Sequence, residues 1–333
     1  MVKMTVLASG SKGNSTVVSS SRTRILVDAG VSCRELFKRM AAAGEDPRTL
    51  DAILITHEHQ DHVQGLAVTA RRLGIPVYFT EATHRAWMRW MTPRKRMTYA
   101  DWLAARKAMA EGSVPSAQGS GEGSTGADSE NWEREDLAAV SLAAATETEI
   151  ETIEPEKADP EKGDPCSLPG VEYFASGEEF SVGDIAVTPF TIPHDAADPV
   201  GFVFEADGVR IGLATDLGYM PPNAKRHLKE CDVLMLESNH DLDMLRDGPY
   251  PWSVKQRVMS RVGHMSNLAA AEFLESEYDG GAAYVVLAHL SESNNLPELA
   301  RVSAERALRG RMNLLANKLL LATQDRPLES ILL

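Results

Sequence analysis

The sequence predicts an α/β protein, a four-layer αβ/βα sandwich, from two observations. Predicted strands and helices alternate along the chain, and they do so on both sides of a biased segment at about residues 110–168. Each half therefore supplies strands that its own helices can cover, and two such sheets bury their inner faces by packing on each other. With 333 residues and 43% hydrophobic content, the chain has enough apolar side chains for a substantial core.

The first half is predicted to contain five strands and two helices. Apolar runs bounded by turn residues predict strands at residues 4–8, 16–19, 24–27, 52–55 and 76–79. Ser32 and Glu35 have the spacing of a capping box, which predicts a helix from there to about Ala43, with Gly44 as its stop. A second helix is predicted at residues 65–73.

The second half continues the same alternation. Strands are predicted at residues 185–192, 201–205, 209–214, 233–236, 284–287 and near 318–322. Helices are predicted near residues 223–230, 266–277 and 296–308. We therefore expect a single domain that spans residues 1–333.

Residues 110–168 differ in composition from the rest of the chain. Residues 119–126 are rich in Gly and Ser, and residues 147–165 are acidic, punctuated by proline and poor in large apolar groups. We expect a disordered acidic insertion within the domain, with a transient helix at most at residues 132–145. A tether, or no role at all, is its simplest interpretation.

This insertion also explains most of the net charge of −14. Residues 111–165 carry 15 Asp/Glu and 3 Lys/Arg, which leaves 33 acidic and 31 basic residues elsewhere. The rest of the chain is close to neutral, so the acidic total does not exclude a polyanionic substrate.

The composition also indicates in which cellular compartment the protein is found. No run of eighteen apolar residues is present, so we expect no membrane span, and the N-terminus is interpreted as the first strand and not as a signal peptide. Cys33, Cys166 and Cys231 form no CxxC pair, which argues against a disulfide framework and a thiolate metal site. These features favour the cytoplasm.

The most informative stretch is residues 56–62, which follows the apolar run 52–55. His57, His59, Asp61 and His62 place three imidazoles and one carboxylate within six positions. Neutral imidazole and carboxylate suit Zn²⁺ and, with more oxygen donors, Mn²⁺ or Fe²⁺. A solvated polar loop is the alternative, but a soluble core has no use for such a cluster, and we predict a metal site.

Three later residues occur where a predicted strand ends. His194, Asp216 and His289 each follow an apolar run. Side chains at strand ends leave the core and converge on a cleft at the rim of the sheet. Each residue alone would be interpreted as a polar rim residue, but a metal cluster that needs further ligands makes all three candidates.

Together these residues resemble the binuclear metallo-β-lactamase superfamily, whose motifs occur in this order, with Asp28 at the first of them. A closer resemblance to the YycJ (WalJ) group rests on residues 8–15, 192–202, 236–241, 263–267 and 289–295. It covers nearly everything except about 110–168, an insertion not expected in that group. The resemblance implies the metallo-β-lactamase fold and a cytoplasmic 5′→3′ exonuclease acting on double-stranded DNA.

The resemblance also implies a role for each candidate ligand. His57, His59 and His194 would bind one divalent metal ion. Asp61, His62 and His289 would bind the second, and Asp216 would bridge both. In such a centre two cations about 3.5–4 Å apart activate a bridging hydroxide, which would attack phosphorus. The ligands suit two Zn²⁺ ions best, although Mn²⁺ or Fe²⁺ fits the same geometry.

Asp28, Glu237 and His264 are assigned supporting roles. Asp28 would orient a ligand His or the loop backbone, or it would cap the helix that starts near Ser32. Glu237 and His264 resemble the proton relay of the superfamily's tRNA-processing nucleases. With Asp61 they are our catalytic candidates, His264 as general acid and Glu237 as its orienting group. The alternative for His264 is a simple helix cap, and His240 either approaches the metals or hydrogen-bonds inside its loop.

Several residues are candidates for substrate binding. The turn at residues 9–15, with Ser11 and Asn14, could cradle a phosphate, or it is a plain hairpin connection. Ser291 and Asn294 could donate to phosphate oxygens in the same way. A basic stretch with interleaved tryptophans either binds a nucleic-acid backbone or is a solvated helix face with its tryptophans in the core. Its members are Arg85, Trp87, Arg89, Trp90, Arg94, Lys95 and Arg96.

The competing function is a small-molecule metallohydrolase that cleaves a thioester, lactone or β-lactam, because fold and ligands alone do not separate these reactions. A non-enzymatic, metal-stabilised binding module is the third class, and the complete ligand set argues against it. DNA is the expected partner, and the acidic insertion could compete with it for a basic groove. The sequence leaves the oligomeric state open.

Overall fold

The computed structural model describes residues 1–92, 164–309 and 318–333. Met1–Met91 and Gly163–Leu333 form one compact unit. The predicted acidic insertion lies outside the described residues except for its last five positions, and so does the transient helix expected at 132–145. None of the helices in the described part of the chain combines the length and the hydropathy needed to cross a bilayer.

The first sheet has seven strands in the order β14-β1-β2-β3-β4-β5-β6. Its strands are β1 (Lys3–Ala8), β2 (Ser15–Ser19), β3 (Arg24–Val27), β4 (Ala52–Leu54), β5 (Val77–Phe79), β6 (Val171–Tyr173) and β14 (Ile331–Leu332). The pairs β1·β2 and β2·β3 are antiparallel, whereas β3 to β6 are parallel. Strands β1, β3, β4, β5 and β6 therefore all end at the same edge of this sheet.

The second sheet also has seven strands, in the order β13-β12-β11-β10-β9-β8-β7. Its strands are β7 (Phe180–Val182), β8 (Ile185–Thr191), β9 (Val200–Ala206), β10 (Val209–Ala214), β11 (Val233–Glu237), β12 (Tyr284–Ala288) and β13 (Lys318–Leu321). Strands β10 to β13 are parallel, and β9 is antiparallel to both β8 and β10. Strand β8 consequently ends at the same edge as β10, β11 and β12.

Helices cover the outer face of each sheet. Those that follow strands of the first sheet are α1 (Cys33–Ala42), α2 (Gln60–Val63), α3 (Leu66–Leu73) and α4 (Glu81–Met91). Those that follow strands of the second are α5 (Pro222–His227), α6 (Leu242–Asp247), α7 (Trp252–Val258), α8 (Asn267–Ser276) and α9 (Pro297–Leu308). The Ser32 side chain accepts a hydrogen bond from the Glu35 amide at 3.3 Å, and Gly44 has φ 74°, so the predicted cap and stop of α1 are both present.

Three apolar layers hold these elements together. The central one joins the inner faces of the two sheets, for example Met4 and Ile25 with Phe202 and Phe204. The second packs α1, α3 and α4 on the first sheet, and the third packs α8 and α9 on the second sheet. Two sheets face to face with helices outside form the four-layer αβ/βα sandwich that the sequence predicted.

The structure contains elements that the sequence did not predict. They are β6, β7, β14, α2, α6 and α7, whereas α4 contains the start of the basic stretch, for which a helix was one of the two interpretations. The three strands have only two or three residues, too few for a period-2 pattern to be recognised. Within α4, Trp87 is fully buried and Arg85 pairs with Glu81, as expected of a solvated helix face, although Trp90 is 47% exposed. Arg94, Lys95 and Arg96 lie outside the described residues.

Candidate metal centre

Four polar residues and one polar loop lie directly beyond strands that end at the shared edge of the sandwich. Asp28 follows β3, and residues 56–62 follow β4. His194, Asp216 and His289 lie just beyond β8, β10 and β12. Parallel strands bring their carboxyl ends to one edge, so residues more than two hundred positions apart meet there.

His57, His59 and His194 form the first cluster, with one nitrogen from each lying within 4.8 Å of the others. His59 Nδ1 lies 3.2 Å from His194 Nε2. Two nitrogens bound to one tetrahedral zinc lie about 3.3–3.4 Å apart, because each Zn–N bond is about 2.0–2.1 Å. His57 Nε2 is buried and has no hydrogen-bond partner. An unsatisfied buried nitrogen is costly unless it binds something, so the cluster fits a cation.

Asp61, His62 and His289 form the second cluster. Asp61 Oδ2 lies 3.5 Å from His62 Nε2 and 3.4 Å from His289 Nε2. These separations again match two ligand atoms on a common tetrahedral cation.

Asp216 lies between the two clusters. Its carboxylate oxygens lie 3.4 Å from His62 Nε2 and 4.0 Å from His194 Nε2, so it faces one imidazole of each cluster. Its Oδ2 atom is buried without a hydrogen-bond partner. This placement is the one expected of a carboxylate that bridges two cations.

The backbone at this edge is strained. Asp28, Asp216 and His289 have φ values of 59°, 61° and 55°, although none of them is glycine. Residues in such conformations cost about 1–3 kcal/mol each and persist only where the surrounding structure enforces them. The strands thus end in turns that aim these side chains at the centre.

Hydrogen bonds to the outer ring nitrogens fix the ligand imidazoles. His62 Nδ1–H donates to Asp28 Oδ2 at 2.8 Å, and His194 Nδ1–H donates to the Gly263 carbonyl at 3.1 Å. Because each Nδ1 carries the proton, each Nε2 offers its lone pair to the cluster. Asp28 also accepts from the amide and hydroxyl of Thr56, so it orients both a ligand histidine and the loop, while Ser32 caps α1.

Glu237 holds two imidazoles at once. Its Oε1 atom accepts from His264 Nδ1 and from His289 Nδ1, both at 2.9 Å, and Oε2 accepts from the amides of Leu217 and Met265 at 2.7 and 3.0 Å. Burial alone would raise the pKa of Glu237, but the two imidazoles outweigh it and hold the pKa well below its usual range. The sequence paired Glu237 with His264 only, and its contact with the candidate ligand His289 is a finding of the structure.

The charges of the site differ between its two sides. Burial, together with neighbouring imidazoles, holds the pKa values of His57 and His194 well below the usual value for histidine, so both are neutral as ligands must be. Burial would also lower the pKa of His289, but the carboxylates of Asp216, Asp61 and Glu237 outweigh it and raise the pKa to about 10. The surroundings of His289, with three carboxylates, therefore favour a positive charge, which a bound cation would supply.

The predicted substrate-binding residues differ in their burial and in what they contact. The Asn14 amide donates to Asp61 Oδ2 at 3.2 Å and lies 3.0 Å from His62 Nε2, so this buried side chain faces the candidate ligands. Ser11 is exposed on the same turn. Ser291 and Asn294 are buried, and the Ser291 hydroxyl accepts from the Asn294 amide at 3.2 Å.

Other residues at the site were missed or left open by the sequence. Thr56 and the Gly263 carbonyl contact ligand histidines, and the Asn239 side chain donates to the His289 carbonyl at 2.9 Å. Adjacency to His57 was the available signal for Thr56, whereas a backbone carbonyl has no signature in sequence. His240 belongs to none of the metal-type clusters among the described residues, its Nδ1 has no hydrogen-bond partner, and burial lowers its pKa to about 4.

The chain is similar to known proteins over most of its length. The sequence model of the metallo-beta-lactamase superfamily matches residues 8–289. Exodeoxyribonuclease YycJ of Bacillus anthracis is 31% identical over 303 residues, 91% of this chain and 88% of that relative. Exodeoxyribonuclease WalJ of Streptococcus pneumoniae is 30% identical over 301 residues, 90% of this chain and 86% of the relative. The metallo-beta-lactamase fold protein YhfI of Bacillus subtilis superposes with a TM-score of 0.57 at 15% identity, covering 98% of this chain and 99% of that one, which shows the shared fold.

Proposed function

Because the chain belongs to the metallo-beta-lactamase superfamily and is a hydrolase of that superfamily, we propose that it is a metal-dependent phosphodiesterase, a 5′→3′ exonuclease acting on double-stranded DNA. The names of the YycJ and WalJ relatives support this substrate, since both are exodeoxyribonucleases similar over about 90% of the chain. We place the activity in the cytoplasm, and Cys33, Cys166 and Cys231 form no disulfide, which suits a reducing compartment.

The observation that carries the proposal is the pairing of His264 with Glu237 beside the two clusters. The fold and the candidate ligands do not distinguish a phosphodiester from a thioester or a lactone. A phosphodiester, like a lactone but unlike a thioester, releases an alkoxide, which needs a proton near neutral pH, and imidazole polarised by a carboxylate supplies one. The relay therefore argues against a thioester, and the names of the relatives argue against a lactone. His264 uses Nδ1 for Glu237 at 2.9 Å, so its Nε2 is the nitrogen that carries the transferable proton.

The position of His264 suits this role. Its ring centroid lies 5.1 Å from that of His194 and 5.2 Å from that of His289, so it lies beside one candidate ligand of each cluster. Its side chain is 16% exposed, whereas Glu237 is fully buried. A substrate can therefore reach the imidazole but not the carboxylate that orients it, and Glu237 acts through His264 as a positioning residue.

The residues proposed to hold the cations are the seven candidate ligands of the two clusters and the bridge. His57, His59 and His194 would bind one ion, Asp61, His62 and His289 the other, with Asp216 shared. Two such cations, when bound, lower the pKa of water and withdraw charge from the phosphoryl oxygens. Five imidazoles and two carboxylates favour Zn²⁺, and Mn²⁺ or Fe²⁺ would fit the same ligands.

The chain's own residues then orient the centre and move the proton. Asn14 donates to Asp61 at 3.2 Å and keeps that carboxylate turned toward the cluster. Asp28 and Glu237 hold the Nδ1 atoms of His62 and His289, so that both rings keep their Nε2 atoms inward. Exposed Ser11 and buried Asn14 stay proposed phosphate contacts, and so do Ser291 and Asn294, which are hydrogen-bonded to each other.

A direct test uses duplex DNA labelled at one 5′ end, with the purified protein loaded separately with Zn²⁺ and Mn²⁺. We expect short labelled products to appear first, because the labelled end is attacked first. A parallel assay measures thioester, lactone and β-lactam hydrolysis. Turnover of one of these with intact DNA would replace the proposal by the small-molecule alternative.

A further inference from the structure

We propose that Arg261, stacked on Tyr219 at the rim of the metal centre, binds a backbone phosphate of the DNA next to the phosphodiester that is hydrolysed. The inference rests on the proposed phosphodiesterase function and adds a substrate-binding residue to it. Neither residue was a candidate in the sequence, because nothing in their local pattern distinguishes them from other surface residues.

The loop that carries Arg261 is fixed between two loops that carry candidate ligands. The Val262 carbonyl accepts from the Asp195 amide at 3.1 Å, directly after His194. On the other side, a Cβ atom on Gly218 would lie 2.1 Å from the Arg261 carbonyl oxygen, so only glycine permits this close approach two residues after Asp216. The backbone of Arg261 is therefore locked to the centre, and only its side chain is free to project.

The guanidinium of Arg261 is held but not neutralised. It lies 4.3 Å from the centroid of the Tyr219 ring, a cation–π contact. Arg261 is exposed and Tyr219 is half-buried, and no carboxylate among the described residues forms an ion pair with Arg261. The neighbouring Arg257 differs, because its Nε and Nη2 atoms donate to the two oxygens of the Asp195 carboxylate. Among the described residues Arg261 is thus a positive charge at this rim without a carboxylate partner, and it can take an external anion.

The contact with the Tyr219 ring makes the Arg261 guanidinium a suitable phosphate-binding group. The guanidinium has a planar fork of N–H donors that can bind two phosphate oxygens at once. Because the ring restricts the side chain beforehand, less ordering is needed when the anion binds. Among the described residues, no hydrogen bond or ion pair joins the guanidinium to a candidate metal ligand. The proposed general acid His264, in contrast, lies only three residues further along the same loop. We therefore assign Arg261 to a neighbouring phosphate and not to the scissile one.

The test compares Arg261→Ala with Arg72→Ala as the matched control. Arg72 also stacks on an aromatic ring, that of Phe37 at 5.2 Å, but it lies at the end of α3 before β5, at the opposite edge of the sandwich. Steady-state kinetics are measured on duplex DNA over a range of salt concentrations. Hydrolysis of bis(4-nitrophenyl) phosphate, which is too short to reach two phosphate sites, serves as the internal reference, and metal content and Tm check folding.

We expect Arg261→Ala to raise KM for DNA by about tenfold and to lower the salt-dependence slope by about one, as for one lost phosphate contact. Turnover at saturating DNA and hydrolysis of the small diester should stay within about twofold of wild type. Tyr219→Ala should reproduce part of the effect, and Tyr219→Phe, which keeps the ring, should have none. Arg261→Gln is the second variant in case the alanine variant is unstable.

Two results overturn the inference, and they are distinguishable. If wild type degrades DNA while Arg261→Ala and Arg72→Ala have the same KM and salt slope, Arg261 binds no phosphate and the proposed function stands. If wild type fails to degrade DNA under any metal condition, the proposed function itself is wrong and the inference falls with it.

Discussion

The two sheets contribute to the candidate centre in different ways. The first sheet supplies four candidate ligands from one short loop after β4, whereas the second supplies one candidate at each of three strand ends, after β8, β10 and β12. The loop depends on local chain geometry and on Asp28. The three separate residues depend on the registers of four strands and on Glu237, which fixes both His264 and His289. We infer that the first sheet chiefly binds the metals and that the second sheet also carries the proton relay.

The largest expected effect on turnover comes from Asp216, which lies between the two clusters of candidate ligands. Asp216→Ala removes the carboxylate that faces both clusters, so turnover should fall by roughly three orders of magnitude or more, since bound cations supply several kcal/mol of charge stabilisation. Metal content, measured by elemental analysis after dialysis, should fall in parallel. Full activity with full metal content would show that the two sides do not share this residue.

His264→Ala tests the proton relay separately from metal binding. We expect both metals to remain bound while turnover falls by roughly 10²–10⁴-fold, the usual contribution of general acid–base catalysis. Glu237→Gln should lower turnover and metal content together, because Glu237 also orients His289. His227→Ala, a stacked histidine on α5, is the control and should keep its activity. Unchanged turnover in His264→Ala would end the relay proposal.

Asp28→Asn tests the orienting contact on the side of the first sheet. The amide cannot accept from His62 and Thr56 as the carboxylate does, so metal affinity should fall by roughly 10–100-fold. Competition with a metal-binding dye measures the affinity. Glu35→Gln, at a half-buried carboxylate on α1 that pairs with Arg39, is the matched control. Equal affinities of the two variants would mean that Asp28 acts only on the backbone.

The smallest effect is expected at the opposite edge, where a carboxylate links the two sheets without approaching the centre. Asp184, between β7 and β8, accepts from the hydroxyls of Thr23 at 2.6 Å and Ser20 at 2.7 Å, in the turn between β2 and β3. The Thr23 and Ser20 hydroxyls lower the pKa of Asp184 to about 2.

This pKa sets a pH dependence of stability with a definite sign. The folded-state pKa is lower than the ordinary value of 3.8, so the stabilisation is present above that value and is lost as pH falls through about 2. Urea melts of wild type and Asp184→Asn should differ at pH 5 and converge toward pH 2, with activity near neutral pH unchanged. A difference that stays constant over this range would assign the effect to packing and not to charge.

Much of the fold was predictable because its signals are local. The periodicity of the apolar residues located the strands that end at His194, Asp216 and His289, and the Ser32 cap located α1. Strands β6, β7 and β14 were missed because two or three residues carry no pattern and pair only where a neighbouring strand is already in place. Asn14 stays a predicted phosphate contact, and the structure adds that its amide faces Asp61 and His62, because the direction of a side chain in a turn depends on what lies across it.

The sequence by itself determined the elements that have a clear apolar pattern. It also determined the cluster at residues 56–62, because residues so close along the chain remain neighbours in any turn after a strand. Only the tertiary structure decided that Glu237 serves both His264 and His289, and that Arg261 lies on Tyr219. The physical reason is that hydrogen bonds and ring contacts depend on tenths of an ångström between atoms far apart in sequence. Those distances are set by strand register and core packing, which no local pattern encodes.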